Sequence, residues 1–135
     1  MKQLTPNLAV EDVAKSVAFY TEVLGFKLKM CVDDEKRPAE TIEAGKHYIW
    51  ANVMHGSVGM MFQQKQSFEE DLGVSVKEIG ASVSFYIEVE DAEALYERLK
   101  AKAPIHKALE TTFYGAKEFY IKDPDGYILG FSSRV

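Results

Sequence analysis

The sequence predicts an α+β fold of two βαβββ modules, whose mostly antiparallel strands form a cup-shaped sheet. Three observations carry that expectation. A strand, a helix and three strands can be read between residues 4 and 64, and the same order recurs between 82 and 132. An offset of 79 residues places Val10-Glu11-Asp12 on Val89-Glu90-Asp91 and Thr5 on Ser84, a weak identity that the repeated element order strengthens. Antiparallel strands that follow a strand–helix pair imply a sheet covered on one face by its helix. The other face of a twisted sheet is concave, so two halves are expected to enclose a cup. The chain is then one domain, 1–135, with module one at about 1–64, a connector at 65–80 and module two at 81–135.

Taken in order, "LTPNLAV" (4–10) reads as a strand with Leu4, Leu8 and Val10 on one face and Thr5, Asn7 and Ala9 on the other. Asp12 is placed to cap the next helix. In that helix Val13, Val17, Tyr20 and Leu24 recur at helical spacing, and Gly25 supplies the stop. "FKLKMCV" (26–32) alternates as a strand, and "DDEKRPAE" (33–40) is a loop. "TIEAGKHYIWANV" (41–53) and "SVGMMFQQ" (57–64) read as two further strands, turned at "MHG" (54–56). The stretch "KQSFEEDLGVSVKEIGA" (65–81) is acidic and poor in apolar residues, a connecting loop with at most one helical turn.

The second module opens with "SVSFYIEVED" (82–91), with Val83, Phe85, Ile87 and Val89 on one face and Ser84, Tyr86 and Glu88 on the other. Asp91 caps a helix bearing Ala92, Leu95, Tyr96 and Leu99 that ends before Pro104. Strands are expected at 105–110, 117–122 and 127–132. Between the last two lies "DPDG": Pro124 presets φ, Asp125 bonds its own backbone and Gly126 accepts a positive φ. Gly130 interrupts the final apolar run, where glycine weakens a strand unless something approaches the backbone closely.

Composition narrows the function. With 135 residues, 47% apolar and 27% charged, the chain is ordinary for a soluble domain with its own core. A net charge of −5 without a basic stripe argues against nucleic acid. The only cysteine, Cys31, has no internal disulfide partner, and Asp33 and Asp34 nearby disfavour a reactive thiolate. The N-terminus has no signal-peptide core and no stretch approaches 18 apolar residues, so the cytoplasm is the expected location and a membrane is not an expected partner.

Three segments carry a family resemblance: "VEDVAKSVAFYTEVLGF" (10–26), "VEDAEALYERLKA" (89–101) and "YGAKEFYIKDPDGYILGF" (114–131). The first, through Asp12, Ser16, Phe19, Tyr20, Leu24, Gly25 and Phe26, and the third, through Gly115, Glu118, Phe119, Asp123, Pro124, Asp125 and Gly126, resemble the vicinal oxygen chelate superfamily. That superfamily holds glyoxalases, extradiol dioxygenases and bleomycin- and fosfomycin-resistance proteins. The resemblance implies the glyoxalase/bleomycin-resistance fold, in a paired or swapped dimer. Its metalloenzymes carry four ligands, and the matching positions here are Thr5, Ser84, Met61 (or Gln63 if the register slips by two) and Gly130. None is a competent ligand for a hard divalent ion. A slip of one delivers Leu4 or Pro6, Val83 or Phe85, and Leu129 or Phe131, which are no better. No metal and no other cofactor is therefore expected.

His47, His55 and His106 read as surface residues; His106 and Glu110 share a strand face about 13 Å apart. An irregular metal site from His47, Glu43 or Glu118 is the weaker alternative. No Gly-x-Ser-x-Gly elbow, Cys–His pair or phosphate-cradling loop is present, so no catalytic residue is assigned.

On the concave face the alternation places Tyr48, Trp50 and Asn52 beside Met61 and Gln63, with Ser84, Tyr86, Tyr120, Gly130 and Phe113 or Tyr114 from module two. Glu88 falls on the same face, although its place beside Glu90 and Asp91 reads more simply as a solvated strand end. Aromatic rings, thioethers and a few polar groups suit a small, partly aromatic organic ligand. The leading expectation is metal-independent binding of such a molecule in a homodimer, resembling the bleomycin-resistance branch, where protection is by sequestration. The alternatives are a metal-dependent lyase, isomerase or dioxygenase with an atypical site, and a structural or regulatory dimer without a ligand.

Overall fold

The computed structural model describes residues 1–80 and 82–135; Ala81, where the sequence places the start of module two, lies outside the described residues. The chain divides into two compact units, Met1–Ile79 and Gly80–Val135.

In the first unit β1 (Asn7–Val10) leads to α1 (Val13–Ala18), which runs on as a π-helical turn over Phe19–Val23. The Asp12 carboxylate accepts from Lys15 N at 3.2 Å and satisfies an N-terminal amide that would otherwise lack a partner. Gly25, at φ +79°, ends the element, with Phe26 N donating to Tyr20 O at 2.9 Å. Strands β2 (Lys27–Asp33), β3 (Pro38–Ala39), β4 (Tyr48–His55) and β5 (Val58–Gln64) follow, then α2 (Lys65–Leu72). The sheet order is β1-β5-β4-β2-β3, with β1 parallel to β5 and the remaining pairs antiparallel. Leu8, Val17, Tyr20, Ala51, Val53, Met60 and Phe62 form its core. Tyr20 packs edge-on against Phe26 at 5.5 Å and tilted against Phe62 at 4.7 Å.

The second unit repeats the plan with β6 (Ser84–Glu88), α3 (Ala92–Leu99), β7 (Ile105–Thr111), β8 (Ala116–Lys122) and β9 (Ile128–Arg134). Asp91 caps α3 through Ala94 N at 3.0 Å, as its counterpart Asp12 caps α1. The order is β6-β9-β8-β7, and the first strand again lies parallel to the last. Phe119 is fully buried between Tyr96 of α3 and Phe131 of β9, each 5.2 Å away ring to ring. The expected α+β class and the repeated strand–helix–strands order are observed. Among the described residues no helix is long and apolar enough to cross a membrane.

Several boundaries move. The first strand begins at Asn7 and leaves Leu4 87% exposed, because Pro6 lacks an N–H and contributes only its carbonyl, to Met61 N at 2.9 Å. Residues 41–47 are not strand; Gly45, at φ +84°, turns the chain there. The second module's first strand contracts to Ser84–Glu88, and Val83 is exposed. The connector forms an eight-residue helix, capped by Gln64 through Ser67 N and closed by left-handed Gly73, and that helix packs on β5 and β1. In "DPDG" the Asp123 carboxylate also braces the turn, accepting from Asp125 N and Tyr127 N at 2.9 Å each.

Candidate functional site

Strand alternation sorts the second unit's sheet. Phe119, Ile121, Leu129 and Phe131 are buried, with Phe119 and the β8 and β9 strands packed on α3, so Glu118, Tyr120, Gly130, Ser132, Tyr86 and Glu88 fall on the opposite face. Register then fixes who meets whom. Gly130 stands between Tyr86 on β6 and Tyr120 on β8, while Ser132 stands between Glu88 and Glu118.

The space over Gly130 belongs to Tyr120. A Cβ built on Gly130 would lie 2.3 Å from Tyr120 Cε2 and 2.7 Å from Cδ2, so only glycine lets the ring lie flat on the neighbouring strand. Lys107 Nζ also lies over this ring, 5.5 Å from its centroid.

Glu118 is the chemical centre of this face. It is 4% exposed, yet Tyr86 Oη donates to its Oε2 at 2.8 Å and Tyr114 Oη donates to its Oε1. Burial pushes its carboxyl up, but the hydrogen bonds from Tyr114, Tyr86 and Ser132, with the Lys107 charge, bring it below the usual carboxylate value. The same arrangement acts in reverse on the phenols. The hydrogen bond to Glu118, then burial and the carboxylate charge, push Tyr114 up to about 12. Burial and the Glu118 charge also raise Tyr120. Glu118 is thus an anion held by hydroxyl groups. Beside it lies a cleft of about 180 Å³ lined by Tyr86, Glu88, Tyr114, Ser132 and Arg134. Phe113 sits at the β7–β8 hairpin tip, 99% exposed, its ring edge-on to Tyr114 at 4.9 Å. Ser84 is exposed at the start of β6.

In the first unit the face away from α1 carries two cross-strand rows, Asn7–Met61–Asn52–Met30 and Ala9–Gln63–Trp50–Val32. Asn7 Nδ2 donates to Gln63 Oε1 at 2.9 Å, and Gln63 Nε2 to Ser67 Oγ at 3.0 Å. The Oδ1 atoms of Asn7 and Asn52 are buried without a hydrogen-bond partner among the described residues. Trp50 and Met61 are half-buried on the same face. Tyr48 departs from the expected lining: it is buried, and its hydroxyl accepts from Glu43 N at 2.8 Å, since the irregular pairing between Val32 and Asp33 breaks the alternation there. Asp33 anchors the same loop, its carboxylate taking Arg37 Nε at 2.9 Å.

Two residues of these faces escaped the sequence-based lining. Asn7 shared an expected face with Thr5, and Glu118 stands two places before Tyr120, so both positions were readable from period two. The partners that matter, Tyr86 and Tyr114 for Glu118, were not.

The Glyoxalase/Bleomycin resistance protein/Dioxygenase superfamily model matches residues 2–131. The chain belongs to that superfamily. The bleomycin resistance proteins of Geobacillus stearothermophilus and Staphylococcus aureus are 26% identical to it over 146 residues, covering 100% of this chain and 98% of theirs. A 51-residue stretch is 39% identical to biphenyl-2,3-diol 1,2-dioxygenase of a Pseudomonas species, covering 38% of this chain and 17% of that enzyme. Among solved structures, a glyoxalase/bleomycin resistance protein/dioxygenase from Nocardioides superposes with a TM-score of 0.73 at 22% identity, covering 100% of this chain and 85% of that one. Superfamily membership and the bleomycin-resistance relatives support a ligand-binding or resistance role.

The superfamily's metal centre can be tested on these residues. Thr5 lies outside β1, Ser84 is an exposed hydroxyl, Met61 offers a neutral thioether, and the place of a ligating side chain at Gly130 is taken by the Tyr120 ring. As a donor set these do not fit a hard divalent ion. Among the described residues no group of three or more His, Cys, Asp or Glu side chains converges to hold one. His47, His55 and His106 are exposed, and Glu118 is taken up by tyrosines.

Proposed function

We propose that this superfamily member binds a small, partly aromatic organic molecule without a metal, in the sequestering manner expected of the bleomycin-resistance branch. The observation that carries the reading is the Tyr120 ring on Gly130: the position that resemblance assigns to a metal ligand holds an aromatic surface instead. On the first unit's sheet Trp50, Met61, Asn52, Gln63 and Asn7 supply one set of stacking and polar groups, and on the second unit's sheet Tyr86, Glu88, Phe113, Tyr114, Tyr120 and Ser84 supply another. The working form in this reading is a homodimer, which is supported by β1 and β6 ending their sheets among the described residues, at edges that a second chain can cover. The lone buried thiol, Cys31, suits the reducing cytoplasm.

A thermal-shift screen of planar aromatic compounds, run with and without divalent ions, tests this. A binder at 100 times its Kd adds roughly 2.7 kcal/mol of stability. The shift should survive chelation, Trp50 fluorescence should change on binding, and light scattering should give twice the 15.2 kDa chain mass. A stoichiometric metal in the purified protein, with activity lost on chelation, would overturn it in favour of an enzyme, the reading that the local dioxygenase similarity favours.

A further inference from the structure

One end of the first unit's sheet carries a charge pattern that the aromatic faces do not use. Simple alternation along β2 would place Lys27, Lys29 and Cys31 on one face. Cys31 pairs with Ala51, and both are fully buried. An irregular pairing between Leu28 and Met30 breaks the alternation: Leu28 pairs with buried Val53, and Lys27 with Met54 on the opposite face. The bulge thereby keeps both lysines out of the core and leaves them exposed. Beside them the β4–β5 reversal presents His55 and Gly56, the latter at φ +57°. The His55 ring lies edge-on to Phe26 at 5.5 Å, next to Gly25.

Gly25, Lys27, Lys29, Met54, His55 and Gly56 line one open cavity of about 520 Å³. That is within the roughly 300–1,000 Å³ of small-molecule sites. In a chain of net charge −5, this lining holds two lysines and a histidine and no carboxylate. Lys46, Lys100, Lys107 and Lys117 all have ion-pair partners, whereas among the described residues Lys27 and Lys29 have none. The end of the preceding helix does not call on these cations, because the Phe19 and Tyr20 carbonyls already accept from Leu24 N and Phe26 N.

We infer that this cavity is an anion site, which takes the phosphate or carboxylate group of a small organic molecule. Lysine ammonium groups bind such oxyanions as point charges on flexible stems. A patch opposite in sign to the chain as a whole concentrates anions locally. The Met54 thioether and the His55 ring give the attached carbon skeleton a surface to lie on. The site lies within the first unit, and it stands or falls independently of the metal-free aromatic reading.

The test titrates the full chain with phenyl phosphate, benzoate and neutral benzyl alcohol, at low salt in a cationic buffer, followed by amide and histidine-ring NMR signals. The anions should shift the signals of Lys27, Lys29, Met54 and His55, and bind about tenfold more tightly than the alcohol. The tighter of the two anions tells phosphate from carboxylate. Lys27→Gln and Lys29→Gln should each weaken anion binding by about threefold to fivefold. Salt at about 1 M, where the screening length is roughly 3 Å, should remove most of the preference. Both lysines are exposed, so the variants fold, and thermal melts verify it. Lys122→Gln, the same charge change at an exposed position of the second unit, should leave binding intact. Equal affinity for anions and alcohol, shifts confined to other residues, or a loss in Lys122→Gln as large as in the site variants overturns the inference.

Discussion

The ring of Tyr120 lies on Gly130, so close that a Cβ there would sit 2.3 Å from Cε2. The glycine, by lacking a side chain, seats the aromatic ring of its cross-strand neighbour. Gly130→Ala should cost about 1–3 kcal/mol, the usual penalty for overpacking, read as a lower midpoint in denaturant. Combined with Tyr120→Ala the penalty should largely vanish, because the two residues share one contact and cannot act additively.

Glu118 makes the protein sensitive to acid. Its carboxyl titrates in the folded protein below its ordinary 4.5, so the stability it contributes is present above that pH and is lost as pH falls through the folded value. Asp33, lowered chiefly by the Arg37 backbone hydrogen bond, acts in the same direction. Urea melts from pH 6 down to pH 2 should show the loss, and Glu118→Gln should flatten it. An unchanged slope in that variant would mean that other carboxylates carry the acid response.

Tyr114 makes the opposite prediction in base. Raised to about 12, its phenol contributes stability that is fully present below pH 10 and is lost as pH rises through the folded value. Absorbance at 295 nm should show one tyrosine ionising about two pH units late, absent in Tyr114→Phe and brought back toward 10 in Glu118→Gln.

Cys31 should be inert in the native protein. Burial first, and then the Asp33 charge, push its thiol up, and Sγ lies 3.4 Å from Thr41 O and 3.5 Å from Ala39 O. Ellman's reagent should react with it only slowly at pH 8 and promptly in denaturant. Rapid labelling of the folded chain would show that the β2–β3 region opens.

Much of the architecture was legible residue by residue. Asp12 and Asp91 read as helix caps and act as such. Gly25 read as a stop and takes the left-handed conformation that stops need. Tyr48 shows where alternation failed: an irregular pairing between Val32 and Asp33 re-aims it, and nothing local announces that bulge. Leu4 failed for a related reason, since pairing begins only at the Pro6 carbonyl.

By itself the sequence determined the α+β class and the repeated strand–helix–strands plan, because caps, turns and periodicities are local and each acts within a few residues. Only the tertiary structure decided that Tyr86 reaches Glu118 across 32 residues of chain and that Tyr120 fills the space over Gly130. Both contacts depend on cross-strand register, which the whole sheet sets through its turns and bulges. A shift of one residue would have sent those side chains to the other face.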